Sequence, residues 1–170
     1  MALELYIFRH GPAEERDPMR WRDDAERPLT EEGERETRRA AKGFARLAGS
    51  VDHIVSSPAV RALATARILA EEVEPHRKVE VFEPVEPGAP ATAVLDKARG
   101  LGRAVGSTVI VGHEPTLGES IGLALTGEAV TLVRLSRAGA AALEFSGAVV
   151  PGGATLGWLL TRKQLMALAR

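Results

Sequence analysis

The sequence predicts a three-layer α/β/α sandwich, with helices on both faces of a mostly parallel central sheet. Short apolar runs rich in β-branched and aromatic residues alternate with amphipathic stretches of helical periodicity, which is typical of repeated strand–helix units. Apolar segments punctuated by glycine close the chain and favour antiparallel strands. The 170 residues are enough for one domain over 1–170 with a sizeable core.

Four strands of the parallel part are predicted from the apolar runs. They cover residues 3–8, 51–55, 79–82 and 108–112. Each run is short and is followed by polar residues, as expected where a buried strand ends near the protein surface. No run approaches the length that would span a bilayer.

Four helices are predicted between and after these strands. Thr30 is a suitable N-cap for the first helix, because three glutamates follow it within four residues and their charge suits a helix N-terminus. The second helix is expected to have Ser57 as its N-cap and Pro58 at its first position. A third helix is predicted over about 91–105, and a fourth is expected to begin near Pro115.

In about the last forty residues the pattern changes to apolar segments separated by glycines. Strands are predicted there for "AVTLVRL", "GAAALEF" and "GATLGWLL". The last two segments are expected to pair as an antiparallel hairpin around "SGAVVPG". Near the other end, residues 11–28 form a long polar loop, and loops of that length are often functional. Trp21 within it is interpreted as a packing residue.

Composition excludes several classes of function. The formal charge of −1 gives no reason to expect nucleic acid or a membrane surface as a partner. The absence of cysteine excludes disulfides, thiolate catalysis and cysteine-ligated metals. Nothing resembles a signal peptide, so we expect a cytoplasmic protein. The remaining residues form no convincing metal-ligand cluster, and no cofactor is expected.

Arginine or histidine residues follow three of the predicted strands, within residues 9–11, 57–61 and 112–114. In an open parallel sheet the carboxyl ends of the strands face one crevice, so these groups are expected to converge. Arg61 lies in the first turn of its helix and leans back over a helix end that already favours anions. Two arginines and two histidines around such an end make a good phosphate receptor.

The motifs at these junctions resemble those of the histidine phosphatase superfamily, also called phosphoglycerate mutase-like. "FRHG" follows a strand, "LTEEG" opens a helix, and "SSPAVRALATA" and "VIVGHEPTL" follow in the order and approximate spacing of that superfamily. Together they cover most of the chain through about residue 125. The short chain and the forms "RPLTEEG" and "GHEPTL" are most similar to the small SixA-type phosphohistidine phosphatases.

The resemblance implies a phosphoglycerate mutase-like fold and a role for each matching residue. It makes His10 the nucleophile, which is transiently phosphorylated, and makes Arg9 and Arg61 clamps for the phosphate. His113 becomes a phosphate contact that stabilises charge in the transition state. These roles suit phosphoryl transfer, which depends mainly on positioning and on fixed positive charge and requires no metal here.

Two further residues of these motifs are candidate phosphate contacts. Gly11 would let the backbone turn tightly beside the phosphate, and the hydroxyl of Ser57 could face it as well as cap the helix. The other two histidines are expected to be structural. His53 lies inside a strand and is interpreted as a core or interface residue, and His76 as an exposed loop residue.

A general acid is harder to place. Relatives that act on phosphate esters usually supply a Glu or Asp to protonate the leaving alkoxide, and Glu83 and Glu86 are both candidates in "VFEPVEPGAPA". Phosphohistidine relaxes this demand, because its imidazole can leave as a neutral ring. A strand and a helix use up the interval between Arg67 and Gly112, which leaves little for a lid and favours an open pocket.

The expected substrate is therefore phosphohistidine on a protein. A small phosphorylated metabolite, with Glu83 or Glu86 as the acid, is the alternative within the same superfamily. A third hypothesis, from another class, is a non-catalytic module that holds a phosphorylated partner in the same pocket. The complete set of Arg9, His10, Arg61 and His113 argues against that module, because a decayed enzyme would be expected to lose some of the four.

Overall fold

Six strands form one mixed sheet in the computed structural model, which describes residues 2–75, 78–101 and 105–170. Their order across the sheet is β3-β2-β4-β1-β5-β6. The pairs β1–β4, β2–β4 and β2–β3 are parallel, and β1–β5 and β5–β6 are antiparallel. The strands are β1 (Leu3–Arg9), β2 (His53–Ser56), β3 (Glu80–Val81), β4 (Ser107–Gly112), β5 (Ala140–Phe145) and β6 (Thr155–Leu160).

Helices cover both faces of this sheet, and the sheet's alternating side chains feed two separate cores. Ile7 packs with α3 and α4 on one face, and its neighbour Phe8 packs with α1, α2 and α5 on the other. This is the predicted three-layer arrangement. The helices are α1 (Glu31–Ala48), α2 (Val60–Val73), α3 (Thr92–Gly100), α4 (Thr116–Thr126) and α5 (Arg162–Leu168), with 3-10 turns at Asp24–Glu26 and Glu83–Val85. Among the described residues, no helix has the length and apolar character needed to cross a membrane.

The predicted start of the second helix is wrong by two residues, whereas that of the first is confirmed. The Thr30 side chain accepts a hydrogen bond from the amide of Gly33, as an N-cap should. At the second helix the carbonyl of Ala59 accepts the first helical bonds, so Ala59 is the cap and α2 begins at Val60. Ser57 and Pro58 therefore lie outside the helix, and the Ser57 hydroxyl is available to another partner.

The segment "AVTLVRL" does not form the predicted strand. It runs instead over α4, where the carbonyl oxygens of Val130 and Val133 occupy the space that side chains at Gly122 and Gly118 would fill. The backbone of this segment thus contacts a helix and does not pair with a neighbouring strand. The predicted hairpin of β5 and β6 is confirmed.

The third and the last helix also differ from prediction. α3 ends at Gly100, short of the predicted end, and residues 102–104 and His76 lie outside the described residues. α5 is not predicted from the sequence; it begins in a capping box between Thr161 and Gln164.

The strand order brings the three charged junctions together. β4 lies between β1 and β2, and Arg9 is in register with Gly112 at the carboxyl edge. The amide of His10 donates to the carbonyl of Gly112 at 3.1 Å, and the amide of Ser57 donates to that of Val111 at 3.0 Å. These bonds extend the ladder by one residue and fix the backbone from which the functional side chains project.

Candidate active site

A pocket of about 140 Å³ lies at the carboxyl edge of β1, β2 and β4. The structure brings together in it the four residues singled out in the sequence, Arg9, His10, Arg61 and His113. Its other lining residues are Arg16, Arg27, Pro87, Glu114 and Arg137. A volume of this size suits a small anion such as a phosphoryl group, and the walls are strongly cationic.

His10 is buried at the end of β1 with one ring nitrogen fixed by the backbone. Its Nδ1 lies 2.7 Å from the carbonyl oxygen of Gly11. Because a carbonyl oxygen only accepts, Nδ1 must carry the proton, and the lone pair of the neutral ring is left on Nε2. Burial lowers the pKa of His10 to about 3, and the charges of Arg61 and Arg9 act in the same direction. The imidazole is therefore neutral at pH 7, as a nucleophile must be.

His113 faces His10 from the end of β4, with the two ring centroids 5.1 Å apart. Its Nε2 lies 2.8 Å from the hydroxyl oxygen of Ser57. Burial lowers the pKa of His113 to about 3, with His10 and Arg61 contributing in the same sense. Its Nδ1 is buried and has no hydrogen-bond partner among the described residues. A bound anion would supply the negative charge that favours protonation of this ring.

The two predicted arginine clamps are both buried or nearly so, and both are held by carbonyl oxygens. Arg9 Nη1 donates to the carbonyl of Leu135 at 2.8 Å. Arg61 Nη1 donates to the carbonyl of Asp24 at 2.7 Å, and its Nη2 pairs with the Asp24 carboxylate at 2.9 Å. Fixed guanidiniums of this kind would lose little conformational freedom on binding an anion, which is the property expected of a clamp.

Asp24 is not among the residues predicted from the sequence, yet it contacts three arginines of the pocket. Its carboxylate pairs with Arg16 at 3.3 Å, with Arg27 at 3.0 Å and with Arg61 at 2.9 Å. Burial opposes its ionisation, but the hydrogen bonds from Arg27 and Arg16 and the charge of Arg61 outweigh burial and lower the pKa of Asp24 to about 2. The only sequence signal for this residue is the unusual length of its loop.

Gly11 and Ser57 lie beside the pocket with their polar groups engaged by protein. The amide of Gly11 donates to the hydroxyl of Thr65 at 3.0 Å. A side chain at Gly11 would overlap the hydroxyl oxygen of Thr37, so close contact with α1, rather than a positive φ, requires glycine here. The Ser57 hydroxyl contacts His113 and accepts from the amide of Ala59 at 3.3 Å.

The two acid candidates are not among the residues that line the pocket. Glu83 and Glu86 are both exposed on the 3-10 turn that follows β3 and at its end. The carboxylate that does line it belongs to Glu114, which follows His113 directly. Glu114 accepts from the amides of Leu135 at 2.8 Å and Gly118 at 3.3 Å. It thereby fastens the segment whose carbonyl holds Arg9.

The remaining titratable residues suggest no second centre. Within the described parts of the chain, no three His, Asp or Glu side chains are placed to hold a metal ion. His53 is buried in β2 with its Nε2 3.2 Å from a carboxylate oxygen of Glu80, as expected of a core residue. The ring of Trp21 is stacked by the guanidinium of Arg20, 4.9 Å from the ring centroid.

The fold and the pocket together define an α/β protein whose cationic pocket is lined by two buried imidazoles and two fixed guanidiniums. The chain belongs to the histidine phosphatase superfamily, branch 1, whose family model matches residues 5–83. It is 36% identical over 151 residues to an uncharacterized protein of Picosynechococcus sp., which covers 84% of this chain and 89% of that protein. Members of this superfamily are phosphatases.

Solved structures confirm the predicted fold. The protein histidine phosphatase SixA in complex with tungstate superposes with a TM-score of 0.83, at 22% identity, over 96% of this chain and 99% of that chain. The alpha-ribazole phosphatase of Shigella flexneri superposes with a TM-score of 0.70, at 16% identity, over 94% of this chain and 97% of that chain. One fold thus serves a protein substrate and a small metabolite, and the substrate must be argued from the site.

Proposed function

We propose that this chain is a metal-independent phosphatase that removes phosphate from phosphohistidine on a protein, through a phosphorylated His10. One observation carries the proposal above the others. His10 is held by the carbonyl of Gly11 as a neutral ring with a free lone pair, in a pocket that also holds Arg9, Arg61 and His113. A neutral nucleophile among fixed cationic groups is the minimum that phosphoryl transfer requires.

In the first step Nε2 of His10 attacks phosphorus, and the bond from phosphorus to the substrate nitrogen breaks. The electron pair of that bond stays with the substrate imidazole, which leaves as a neutral ring when its other nitrogen carries a proton. Arg9 and Arg61 hold the phosphoryl oxygens in line. His113, protonated once the anion is present, donates to an oxygen on which charge develops.

In the second step a water molecule attacks the phosphorus of phospho-His10. The bond to His10 breaks and its electron pair returns to Nε2, which restores the neutral imidazole. Inorganic phosphate leaves with the water's oxygen and its two protons, which exchange with solvent. Nδ1 keeps its proton and donates it in a hydrogen bond to the Gly11 carbonyl throughout, so the ring returns to its starting tautomer.

The choice of substrate rests on what the pocket lacks. Its lining contains neither Glu83 nor Glu86, and an alkoxide leaving group needs a proton that an imidazole does not. Its carboxylate Glu114 is occupied by two backbone amides. The high structural similarity to a protein histidine phosphatase supports the same choice.

The decisive experiment compares His10→Ala with the unaltered protein. We expect acid-labile phosphate on His10 during turnover of the unaltered protein, and a loss of activity of at least about 10³-fold in the variant, since a nucleophile is being removed. A side-by-side measurement of kcat/KM for a histidine-phosphorylated protein and a panel of phosphate esters tests the substrate. Chelators should leave the activity intact.

Each contrary outcome points to a different alternative. Near-unaltered activity of His10→Ala would overturn the mechanism. A small ester preferred by several orders of magnitude would overturn the substrate but keep the mechanism. Tight binding of a phosphoprotein without hydrolysis of any substrate would favour the non-catalytic module.

A further inference from the structure

The pocket carries more positive charge than a phosphoryl group neutralises. Its five lining arginines exceed the one lining carboxylate, Glu114, and the Asp24 carboxylate that pairs with three of them, by three positive charges. A phosphoryl group brings about 1.5 to 2 negative charges at pH 7, so at least one positive charge remains. The lining arginines are Arg9, Arg16, Arg27, Arg61 and Arg137.

The uncompensated positive charge lies at the mouth of the pocket rather than at its floor. Arg137 is exposed, and its side chain forms no hydrogen bond or ion pair with any described residue. The side chain of Arg16 is 75% exposed and has a single 3.3 Å contact with Asp24. Arg27, in contrast, is largely buried and hydrogen-bonded to the Asp24 carboxylate and to the Glu14 carbonyl.

These two exposed arginines flank the two clamps. The charge of Arg137 lowers the pKa of Arg9, and that of Arg16 lowers the pKa of Arg61, although burial is the larger cause in both. Glu114 offsets part of this repulsion at Arg9 and Asp24 offsets part of it at Arg61, and a bound anion would offset more of it. Since the whole chain has a net charge of −1, a positive mouth implies that the rest of the surface is net negative.

From this charge distribution we infer that Arg137 and Arg16 select a phosphoprotein whose phosphorylated histidine is flanked by acidic residues. The inference rests on the proposed function and specifies its substrate. An acidic partner would be repelled by most of the surface and attracted by the mouth, which orients the encounter. The surroundings are not basic throughout, because Pro87 follows the exposed Glu86 and the neighbouring cleft that shares Arg16 is lined by Glu14, Glu15 and Asp17. The acidic flanks would therefore contact Arg137 and Arg16 at the pocket and not in that cleft.

Two peptides of identical length, phosphorylated on a central histidine by phosphoramidate, provide the test. One carries Asp and Glu beside the histidine, and the other carries Ser and Gln. For the unaltered protein at low salt we expect kcat/KM to be about fivefold higher for the acidic peptide, the size expected of one or two exposed ion pairs. The preference should shrink at high salt, because exposed charges are screened.

Substitution of the arginines tests the assignment to these residues. Arg137→Gln and Arg16→Gln should each reduce the ratio of acidic to neutral kcat/KM by about half, and Arg137→Glu should invert it. Arg39→Gln, an exposed arginine of α1 outside the pocket, is the matched control and should leave the ratio unchanged. Circular dichroism verifies that each variant is folded.

The outcomes separate the inference from the proposed function. Equal rates for the two peptides, or a preference that survives Arg137→Glu, would overturn the selection of acidic flanks and leave the phosphatase proposal standing. If phosphate esters are hydrolysed but neither peptide is dephosphorylated, the proposed substrate is overturned, and this inference with it.

Discussion

Two buried imidazoles of the same chain are held by partners of different kinds. The Nδ1 of His10 is fixed by a backbone carbonyl, which no substitution of a side chain removes. The Nε2 of His113 is fixed by the hydroxyl of Ser57, which substitution can remove. The role proposed for Ser57 therefore changes from direct phosphate contact to orientation of His113.

Ser57→Ala should lower kcat about tenfold, the upper end of what one hydrogen bond contributes, and leave KM within about twofold. The reason is that His113 is proposed to stabilise charge that develops in the transition state, so its misorientation affects the chemical step. Steady-state kinetics on an aryl phosphate measures both constants. A raised KM with unchanged kcat would instead indicate that the hydroxyl contacts the bound phosphate.

Ser56→Ala is the matched control. The Ser56 hydroxyl is equally buried, but it donates to the carbonyl of Ser57 at 2.9 Å and not to a histidine. Its loss should reduce stability modestly without the drop in kcat. A similar drop in both variants would mean that kcat reports general loosening of this junction.

At the scale of the element, residues at strand ends were predictable and residues in long loops were not. Arg9 ends β1, and His10 and His113 directly follow β1 and β4, so the strand order alone brings them to one edge. Asp24 reaches the same pocket through the path of the 11–28 loop, which no periodicity encodes. Pairing within that loop, as between Ala13 and Leu29, is a tertiary property.

Apolar patterning also could not separate a strand from a segment packed on a helix. Val130 and Val133 are β-branched, as is typical of a strand, but their carbonyl oxygens contact α4 at Gly122 and Gly118. The space left by the missing side chains of Gly118 and Gly122 can be located only once the position of α4 in the fold is known. The same holds for α5, whose buried Leu165 packs against Gly43 of α1.

Asp24→Asn should tighten the binding of orthovanadate by about threefold. In the free protein the Asp24 carboxylate and carbonyl occupy both terminal nitrogens of Arg61, and an anion must share that guanidinium with them. Removal of one nearby negative charge strengthens the attraction at a partly screened site. Isothermal titration calorimetry measures the change.

Asp17→Asn is the control for this prediction. Asp17 belongs to the same loop but lines a neighbouring cleft and caps the amide of Met19 at 2.9 Å. Its variant should bind vanadate as the unaltered protein does. Weaker binding by Asp24→Asn would show that Asp24 acts mainly by positioning the arginines.

Substitutions on the 3-10 turn after β3 test whether Glu83 or Glu86 acts as a general acid. Replacement of both Glu83 and Glu86 by Gln should cost a phosphohistidine substrate less than about threefold in kcat/KM, because neither side chain lines the pocket. An esterase that used either residue as its acid would lose about 10²-fold or more. Parallel assays on a histidine-phosphorylated protein and an alkyl phosphate separate the two cases, and a loss of the larger size on both would place the acid on this turn.

At the scale of the whole molecule, the pocket imposes a cost on stability at acid pH. His10 and His113 are both buried, and burial is the main cause that lowers the pKa of each to about 3 from an ordinary 6.5. Between these values the unfolded chain binds more protons than the folded one. The free energy of unfolding must then fall as pH falls from 6.5 toward 3. Asp24, with its pKa lowered to about 2 from 3.8, adds to this loss only below about pH 4.

Urea denaturation at pH 7.5 and 5.5, compared between the unaltered protein and a His10→Gln/His113→Gln variant, isolates these two histidines, because His53 and His76 are common to both proteins. At pH 5.5 each should cost about 1.4 kcal/mol relative to pH 7.5, since one pKa unit separates that pH from the unfolded value. His10→Gln/His113→Gln keeps polar side chains but cannot titrate, so its stability should change much less between the two pH values. Inorganic phosphate should reduce the loss in the unaltered protein, because a bound anion stabilises both the fold and the protonated rings. Parallel stability curves for the two proteins would show that His10 and His113 titrate normally in the folded state, and would overturn the cost that their burial is expected to impose at acid pH.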